Sequence, residues 1–344
     1  MCIRDRLQGD VGSGKTIIAL LSAYNTLNSG YQVAFMAPTE ILARQHYNLA
    51  KEIFPNNKKI ELISGKSDYK NKKIILEKLK NNKIDIIFGT HAIFQKKVSY
   101  KKLGLIIIDE QHKFGVNQRK KLSDKGGNDC DVLLMTATPI PRTLTMTMYG
   151  DMDLSIIKEK PKSRKPIKTY SKLESKIDDV IKFIKKEIIS GNQIFWVCPL
   201  IESNDDLDAM ATQELKEELK KKLTQCNLAE LNGKMSSHEK NKVMLDFKQG
   251  NIDVLICTTI IEVGVDVPNA SNIVIENSER FGLAQLHQLR GRVGRGTKPS
   301  RCFLTFKPGL NDIARRRLNA MRESQDGFEL AEQDLELRGP GELA

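Results

Sequence analysis

The stretch "RLQGDVGSGKT", residues 6–16, decides the first part of the fold. Within it, residues 9–16 match G-x-x-x-x-G-K-[ST], a glycine-rich loop that follows a buried strand and opens a helix. Backbone N–H groups of such a loop and the positive end of the helix bind phosphate oxygens. The next residues, "TIIALLSAYNTL" (16–27), supply the helix. What precedes the loop is short and charged, so the sequence predicts the loop without an apolar strand before it.

The motif predicts a nucleotide site formed by Gly9, Asp10, Val11, Gly12, Ser13, Gly14, Lys15 and Thr16. We expect Lys15 to reach the β- and γ-phosphates of ATP and Thr16 to ligate Mg²⁺. An acidic pair, Asp109 and Glu110, ends the apolar run "LIIIDEQH" (105–112), at the edge of the sheet where α/β proteins bind ligands. Such a pair alone often only starts a helix. Beside a phosphate loop, Asp109 is expected to hold Mg²⁺ and Glu110 to orient and deprotonate water.

Composition limits the class of protein. The chain has 344 residues, of which 40% are hydrophobic and 28% charged, so we expect two soluble globular domains. A formal net charge of +12 favours a polyanionic partner, although a genome that favours Lys, Ile and Asn would give the same balance. The cysteines lack metal spacing, and no apolar run reaches the roughly 20 residues of a membrane span. We therefore predict a cytoplasmic protein with no membrane partner.

Apolar runs with amphipathic segments between them extend along the whole chain, which is typical of parallel sheets covered on both faces. In the first half they are "QVAFMAP" (32–38), "KIELIS" (59–64), "IDIIFGT" (84–90), "LGLIIIDE" (103–110) and "DVLLMTAT" (131–138). In the second half they are "QIFWVCPL" (193–200), "LAELNG" (228–233), "IDVLICTT" (252–259), "SNIVIEN" (271–277) and "RCFLTFK" (301–307). We predict two α/β domains.

The basic, proline-containing segment "PKSRKPIK" (161–168) marks a linker between them. The predicted organisation is a first domain at 7–150, a linker at 151–168, a second domain at 169–309 and a tail at 310–344. The tail begins with a helical pattern at 310–324 and ends on the loop-like "DLELRGPGELA" (334–344).

The second half also contains "QLHQLRGRVGRG" (285–296), in which Arg292 and Arg295 lie three positions apart. That spacing places both on one face of a helix or at its end. Arginine can neutralise the charge that develops on the γ-phosphate during phosphoryl transfer, and a domain that supplies it would make hydrolysis depend on domain closure. A basic patch for nucleic acid, or an ordinary surface helix, would give the same pattern.

Taken in order, "GDVGSGKT", "APTEILARQH", "GTHAIFQ", "DEQHKFGV", "TATPIPRTL", "TTIIEVGVDVPNA" and "QLHQLRGRVGRG" resemble the helicase motifs of superfamily 2. In detail they resemble the bacterial RecG-type ATP-dependent DNA helicases. This resemblance implies two tandem RecA-like P-loop domains and a short helical C-terminal tail. It also implies a 3′–5′ type of motor that uses ATP and Mg²⁺ to remodel stalled replication forks and Holliday junctions in recombination and repair.

The resemblance assigns roles to further residues. For nucleotide and domain closure these are Gly264, Asp266, Gln288, Arg292 and Arg295; for coupling of hydrolysis to DNA they are Gln111, His112, Thr136, Ala137 and Thr138. For DNA they are Pro38, Thr39, Gly89, Thr90, His91, Thr258 and Thr259. Their small hydroxyls and loop N–H groups suit phosphate contacts that do not read sequence. The implied partners are branched or fork DNA and a single-strand-binding protein near the nucleoid, with the motor acting as a monomer.

The resemblance also predicts that this chain is a motor-domain fragment. The family carries an N-terminal wedge domain that splits branched DNA, and it continues beyond "LRGPGEL" into the translocation motif. Residues 1–6 are expected to be a non-native leader, since they lack the apolar character of a strand.

Three alternatives remain open at this point. The translocase module of a transcription-repair coupling factor shares most of these motifs, although "EVGVDVPNA" and "WVCPLIE" favour the RecG type. A fragment could bind nucleotide and DNA without catalysing hydrolysis. An RNA helicase is the third alternative, which "DEQH" together with "TATPIPRTL" disfavours.

Overall fold

The computed structural model describes residues 4–63, 69–95, 97–110, 130–136, 153–159, 164–199, 205–258, 267–296 and 298–338. The chain divides into two compact units, Met1–Glu159 and Lys160–Ala344. Each unit contains one parallel sheet with helices packed on it, which confirms the predicted α/β fold with two RecA-like domains.

The first unit is built on a seven-stranded sheet of order β3-β4-β2-β5-β6-β1-β7. Its strands are β1 (Arg4–Gly9), β2 (Gln32–Met36), β3 (Ile60–Ile63), β4 (Ile86–Gly89), β5 (Leu103–Ile108), β6 (Asp131–Thr136) and β7 (Asp153–Ile157). Its described helices are α1 (Lys15–Asn28), α2 (Glu40–Ile53) and α3 (Tyr69–Lys80). The strands that the apolar runs predict, β2 to β6, are confirmed.

Both faces of this sheet are covered because its central strands are apolar on both sides. From β2, Val33 and Phe35 join a core that includes Leu20 of α1. The alternate residues Ala34 and Met36 join a second core on the opposite face. This two-sided burial is why the central strands have near-continuous apolar runs instead of an alternating pattern.

Strand β1 departs from what the sequence predicts, because a strand does precede the phosphate loop. Its Arg6 and Gln8 are buried although they are polar, at 2% and 0% exposure. β1 pairs with β6 on one side and with β7 on the other. Backbone hydrogen bonds to both neighbours therefore stabilise this strand, although its sequence lacks an apolar pattern. Whether residues 1–6 are native stays a prediction.

Part of the predicted linker is ordered sheet. β7 pairs in parallel with β1, and β8 (Ile167–Leu173) begins inside the predicted linker and pairs with β13 (Ser300–Phe306). The exposed pattern of β7 explains why sequence periodicity did not reveal it. The boundary between the compact units lies at Glu159 and Lys160, within the predicted linker.

The second unit contains a six-stranded sheet of order β10-β11-β9-β12-β13-β8. Its further strands are β9 (Gln193–Val197), β10 (Leu228–Leu231), β11 (Val254–Cys257), β12 (Ala270–Ile275) and β13 (Ser300–Phe306). Its described helices are α4 (Ile177–Ile189), α5 (Asp205–Lys222), α6 (Ser237–Gln249), α7 (Leu283–Arg290), α8 (Asp312–Glu323) and α9 (Gly327–Arg338). None of the helices that the structure describes is long and apolar enough to cross a bilayer.

The tail corrects one expectation. Helix α8 confirms the helical pattern at 310–324, but Asp334 to Arg338, predicted as loop-like, belong to helix α9. Helix α9 packs on α7 and buries Leu330 and Asp334. Tertiary packing therefore stabilises a helix whose own sequence contains no clear signal for its end.

Candidate functional site

The carboxyl ends of four neighbouring strands in the first sheet gather the residues that the motifs single out. The order β2-β5-β6-β1 brings the segments that follow these strands to one edge. Asp109 follows β5, Thr136 ends β6, and the phosphate loop follows β1. Thr136 is paired in register with Gln8, directly before the loop. Parallel sheets bind ligands at this edge, so the arrangement fits the predicted nucleotide site.

Two glycines give the phosphate loop its shape. A Cβ on Gly9 would lie 2.5 Å from Ser13 Oγ and 3.2 Å from Ile157 Cβ, so only glycine fits there. Gly14 has φ +94°, a left-handed conformation that favours glycine, and it caps α1 without a side chain. The first turn of α1 contains no acidic residue, which leaves its positive end open to an anion.

Lys15 is buried at 8% exposure within its own loop. Its Nζ donates to Gly9 O and to Asp10 O, each at 2.8 Å. The loop is tightened further by Ser13 N donating to Asp10 O and by Val11 N donating to Asp10 Oδ1. Lys15 is the first residue of α1, so its charge adds to the positive end of that helix.

Asp109 and Glu110 differ in their surroundings. Asp109 is 9% exposed, and its N–H donates to Met36 O at 2.9 Å, so β2 holds its backbone. Glu110 is half-buried with φ +50°, in the left-handed region that non-glycine residues adopt only at a cost of about 1–3 kcal/mol. Strain of this kind persists where the surrounding structure enforces it, and it concentrates at functional sites.

A buried histidine, His46, contacts Asp109, and the sequence motifs give this histidine no role. Its Nε2 lies 2.9 Å from Asp109 Oδ2, and its ring packs on Phe35 with centroids 4.7 Å apart. Its only sequence signal is a position in the buried stripe of α2 beside Leu42, Ala43 and Ala50. Its partner lies 63 positions away, so no spacing rule reveals the pair.

The residues predicted to contact DNA are placed unequally. Pro38, Thr90 and His91 lie after β2 and β4 and are at least partly exposed. Thr39 caps α2, since its side chain accepts from Leu42 N at 3.4 Å. These four positions follow strands at the same edge as the phosphate loop.

Two further positions predicted for DNA are buried. Gly89 ends β4, and Thr258 lies directly after β11 in the second unit. The Thr258 hydroxyl is fully buried and has no hydrogen-bond partner among the residues that the structure describes. A contact from this hydroxyl to DNA would therefore need Thr258 to become exposed.

Several predicted site residues lie outside the described residues. They are Gln111 and His112 of the acidic motif, Ala137 and Thr138 of the coupling motif, and Thr259, Gly264 and Asp266 of the second unit. Their assigned roles stay predictions.

In the second unit, the arginines predicted for catalysis follow the end of α7. The helix ends at Arg290, and Arg292 N donates to Leu289 O in the turn beyond it. Arg292 is 5% exposed and Arg295 is half-buried. Of the two placements that the spacing allowed, the structure has the helix end. Gln288, assigned to the nucleotide, is 8% exposed on α7 itself.

Arg290, to which the sequence motifs give no role, connects the turn after α7 to the C-terminal tail. Its Nη1 donates to Met321 O at 2.7 Å and to Ser324 O at 2.8 Å, and its Nη2 lies 2.9 Å from His287 Nδ1. On the other side, Arg164 Nη2 donates to Gly291 O at 3.0 Å. Charge-assisted hydrogen bonds therefore hold the end of α7 and the turn after it, residues 290–291, from both sides.

A partly buried acid, Glu276, directly follows β12. Burial raises the pKa of Glu276 to about 7, against a smaller lowering by the hydrogen bond that Trp196 Nε1 donates to Oε1 at 2.8 Å. The folded state therefore binds the proton more tightly than an unfolded chain with a pKa near 4.5. The resulting stability is fully present below about pH 4.5 and is lost as the pH rises towards 7.

We expect Glu276→Gln, which stays neutral, to remove this pH dependence. At about 1.4 kcal/mol per pKa unit, the unfolding free energy of the natural protein should fall by on the order of 3 kcal/mol relative to the variant between pH 4.5 and 7.5. Urea unfolding across this range measures the difference, with the exposed Glu323→Gln as the matched control. Parallel pH profiles for the Glu276 variant and the natural protein would contradict the assignment.

Comparison with known proteins agrees with this geometry. Residues 4–147 match the DEAD/DEAH box helicase family, and residues 175–297 match the helicase conserved C-terminal domain. The chain therefore belongs to the helicases that pair these two domains.

Within that class the chain belongs with the RecG-type helicases. It is 48% identical over 342 residues to the ATP-dependent DNA helicase RecG of Haemophilus influenzae, covering 98% of this chain and 49% of the relative. Identity to RecG of Escherichia coli K12 is 49% over the same shares. A structure of RecG bound to a three-way DNA junction superposes with a TM-score of 0.84 at 43% identity, covering 99% of this chain and 45% of that one. The chain thus spans about half the length of these relatives.

Proposed function

We propose that this chain is the motor part of an ATP-dependent DNA helicase that couples ATP hydrolysis to movement on branched DNA. The observation that carries the proposal is the placement of the phosphate loop and the acidic pair on one sheet edge, where only β6 separates their strands. A transcription-repair translocase and an RNA helicase are less favoured, because the relatives with 48–49% identity are RecG DNA helicases.

Nucleotide binding follows from the loop. We propose that ATP phosphates replace the carbonyl partners of Lys15 and accept hydrogen bonds from backbone N–H groups at the start of α1. The open positive end of α1 adds to this attraction. Glu110, whose backbone is held in the left-handed conformation, would then orient water and accept its proton.

The donors present fit Mg²⁺. Asp109 Oδ1 accepts no hydrogen bond within the described part of the chain, and Thr16 is half-buried in the first turn of α1. Over the same residues, no group of three or more His, Cys, Asp or Glu side chains forms a metal cage. One carboxylate and one hydroxyl, completed by phosphates and water, is the set that Mg²⁺ uses in nucleotide sites. When bound, the ion neutralises charge on the phosphate oxygens.

Branched DNA is the proposed substrate. The net charge of +12 favours phosphate contacts, and Pro38, Thr90 and His91 offer partly exposed groups after β2 and β4. The related RecG structure holds a three-way DNA junction. We propose further that the motor works as a monomer alongside a single-strand-binding protein at the nucleoid, a proposal that rests on the family resemblance.

Substrate choice can be measured by fluorescence anisotropy with three probes of equal length: a three-way DNA junction, a linear DNA duplex and an RNA duplex. We expect the junction to bind most tightly. We also expect the affinity to fall steeply with salt, because phosphate contacts release counterions. Tightest binding to RNA would replace the proposal with the RNA-helicase alternative, and equal binding to both DNA probes would remove branch recognition from this chain.

A further inference from the structure

The contact between His46 and Asp109 joins an otherwise apolar helix face to the acid proposed for Mg²⁺. His46 Nε2 and Asp109 Oδ2 are 2.9 Å apart, and the two side chains are only 8% and 12% exposed. An ionised carboxylate only accepts hydrogen bonds, so Nε2 is the donor and carries the proton. The motif roles assigned from sequence do not include this histidine.

The histidine ring is itself held in place. Phe35 of β2 packs against it at 4.7 Å between centroids, while α2 supports it from the same buried stripe as Leu42 and Ala50. The backbone of Asp109 is fixed to β2 through Met36 O. Both partners of the hydrogen bond are therefore anchored to one strand, which limits the directions that the carboxylate can take.

The two carboxylate oxygens of Asp109 differ in their hydrogen bonding. Oδ2 accepts from His46, whereas Oδ1 has no hydrogen-bond partner in the part of the chain that the structure describes. A hydrogen bond to one oxygen of a ligating carboxylate fixes its rotamer and leaves the other oxygen for the metal.

We propose that His46 is a positioning residue that orients Asp109 so that Oδ1 is available to nucleotide-bound Mg²⁺. The proposal rests on the proposed function, because it assumes that this edge binds Mg²⁺ and ATP. His46 touches neither ligand and acts through Asp109 alone. A purely structural histidine, satisfied by a nearby carboxylate in the core, would affect stability without affecting the ion.

The test measures the Mg²⁺ dependence of nucleotide binding, which does not require turnover. A fluorescent ATP analogue is bound to the full chain in EDTA and then titrated with Mg²⁺. His46→Leu removes the donor, and His46→Gln keeps an N–H donor of similar reach. Leu42→Ala is the matched control, because it loosens the same helix face four positions away from His46. Thermal melting is recorded for each protein.

We expect His46→Leu to raise the Mg²⁺ midpoint by ten- to a hundredfold, the usual effect of removing a partner of a metal ligand, with unchanged binding in EDTA. The Gln variant should stay within about threefold of the natural protein, because it keeps the donor. Leu42→Ala should lower the melting temperature and leave the Mg²⁺ midpoint unchanged.

An unchanged Mg²⁺ midpoint in His46→Leu would overturn the proposal, whatever its melting temperature. If the Leu variant does not fold, His46→Asn takes its place, because the shorter Asn amide falls short of Oδ2; equal midpoints for the Asn and Gln variants would then overturn it. Natural protein that binds no nucleotide even with Mg²⁺ would instead refute the proposed function. These results separate failure of the positioning role from failure of the motor assignment.

Discussion

Replacing Lys15 with Ala is expected to reduce the rate of ATP hydrolysis by at least a hundredfold to a thousandfold, the usual effect of losing one preorganised donor to a developing negative charge. The ammonium group is the one positive side chain within residues 9–16, and it is buried where its charge is poorly screened. Nucleotide binding should weaken as well, by about tenfold to a hundredfold, because a hydrogen bond to a charged group contributes about 1.5–3 kcal/mol.

A Lys15 variant must be separated from a merely unfolded protein. The Nζ group donates to two carbonyls of the loop, so its removal also loosens residues 9–10. Thermal melting of Lys15→Ala should remain cooperative, because the core residues of β1 and α1 are unchanged. Lys73→Ala, on the exposed surface of α3, is the matched control and should hydrolyse ATP at the natural rate. Hydrolysis that survives in Lys15→Ala would show that the activity does not come from this loop.

Replacing Glu110 with Gln is expected to stop turnover while leaving nucleotide binding within about threefold of the natural value. Loss of a general base typically lowers the rate by about a hundredfold to ten-thousandfold. Gln has almost the same size as Glu and meets the same cost at φ +50°, so the fold should not change. Single-turnover hydrolysis and fluorescent nucleotide binding, measured on one preparation, separate the two effects.

The matched control for Glu110 is Glu77→Gln, an isosteric change on the exposed face of α3. It should hydrolyse ATP at the natural rate. If Glu110→Gln kept more than about half of the natural rate, Glu110 would not be the base, since a true base contributes at least about a hundredfold. The strained backbone at Glu110 would then need a structural explanation.

Much of the fold could be predicted because its central strands are apolar on both faces. The runs that contain β2 and β5 are almost continuously apolar, as is typical of a parallel strand buried on both faces, and the structure confirms both strands. β1 and β7 were missed because backbone pairing with neighbouring strands holds them, and their side chains carry no apolar pattern. The sequence did not predict that the tail ends in a helix, because packing on α7 stabilises α9.

The sequence predicts the residues of the candidate site only where they belong to short contiguous motifs. The phosphate loop and the pair Asp109 and Glu110 are contiguous in sequence, so their residue types and spacing are visible. The contacts of His46 and Arg290 depend on tertiary neighbours 63 and 31 positions away, respectively. Histidine on an apolar helix face predicts burial, but only the structure identifies the carboxylate that it meets.

The most direct test of the proposed motor function is the rate of phosphate release by the purified chain with ATP, Mg²⁺ and saturating three-way DNA junction. We expect steady turnover that the junction stimulates well above the DNA-free rate, and almost no release from Lys15→Ala and Glu110→Gln under the same conditions. Nucleotide binding without turnover by the natural chain, with or without the junction, would contradict the proposed motor function. The chain would then bind nucleotide without acting as a motor.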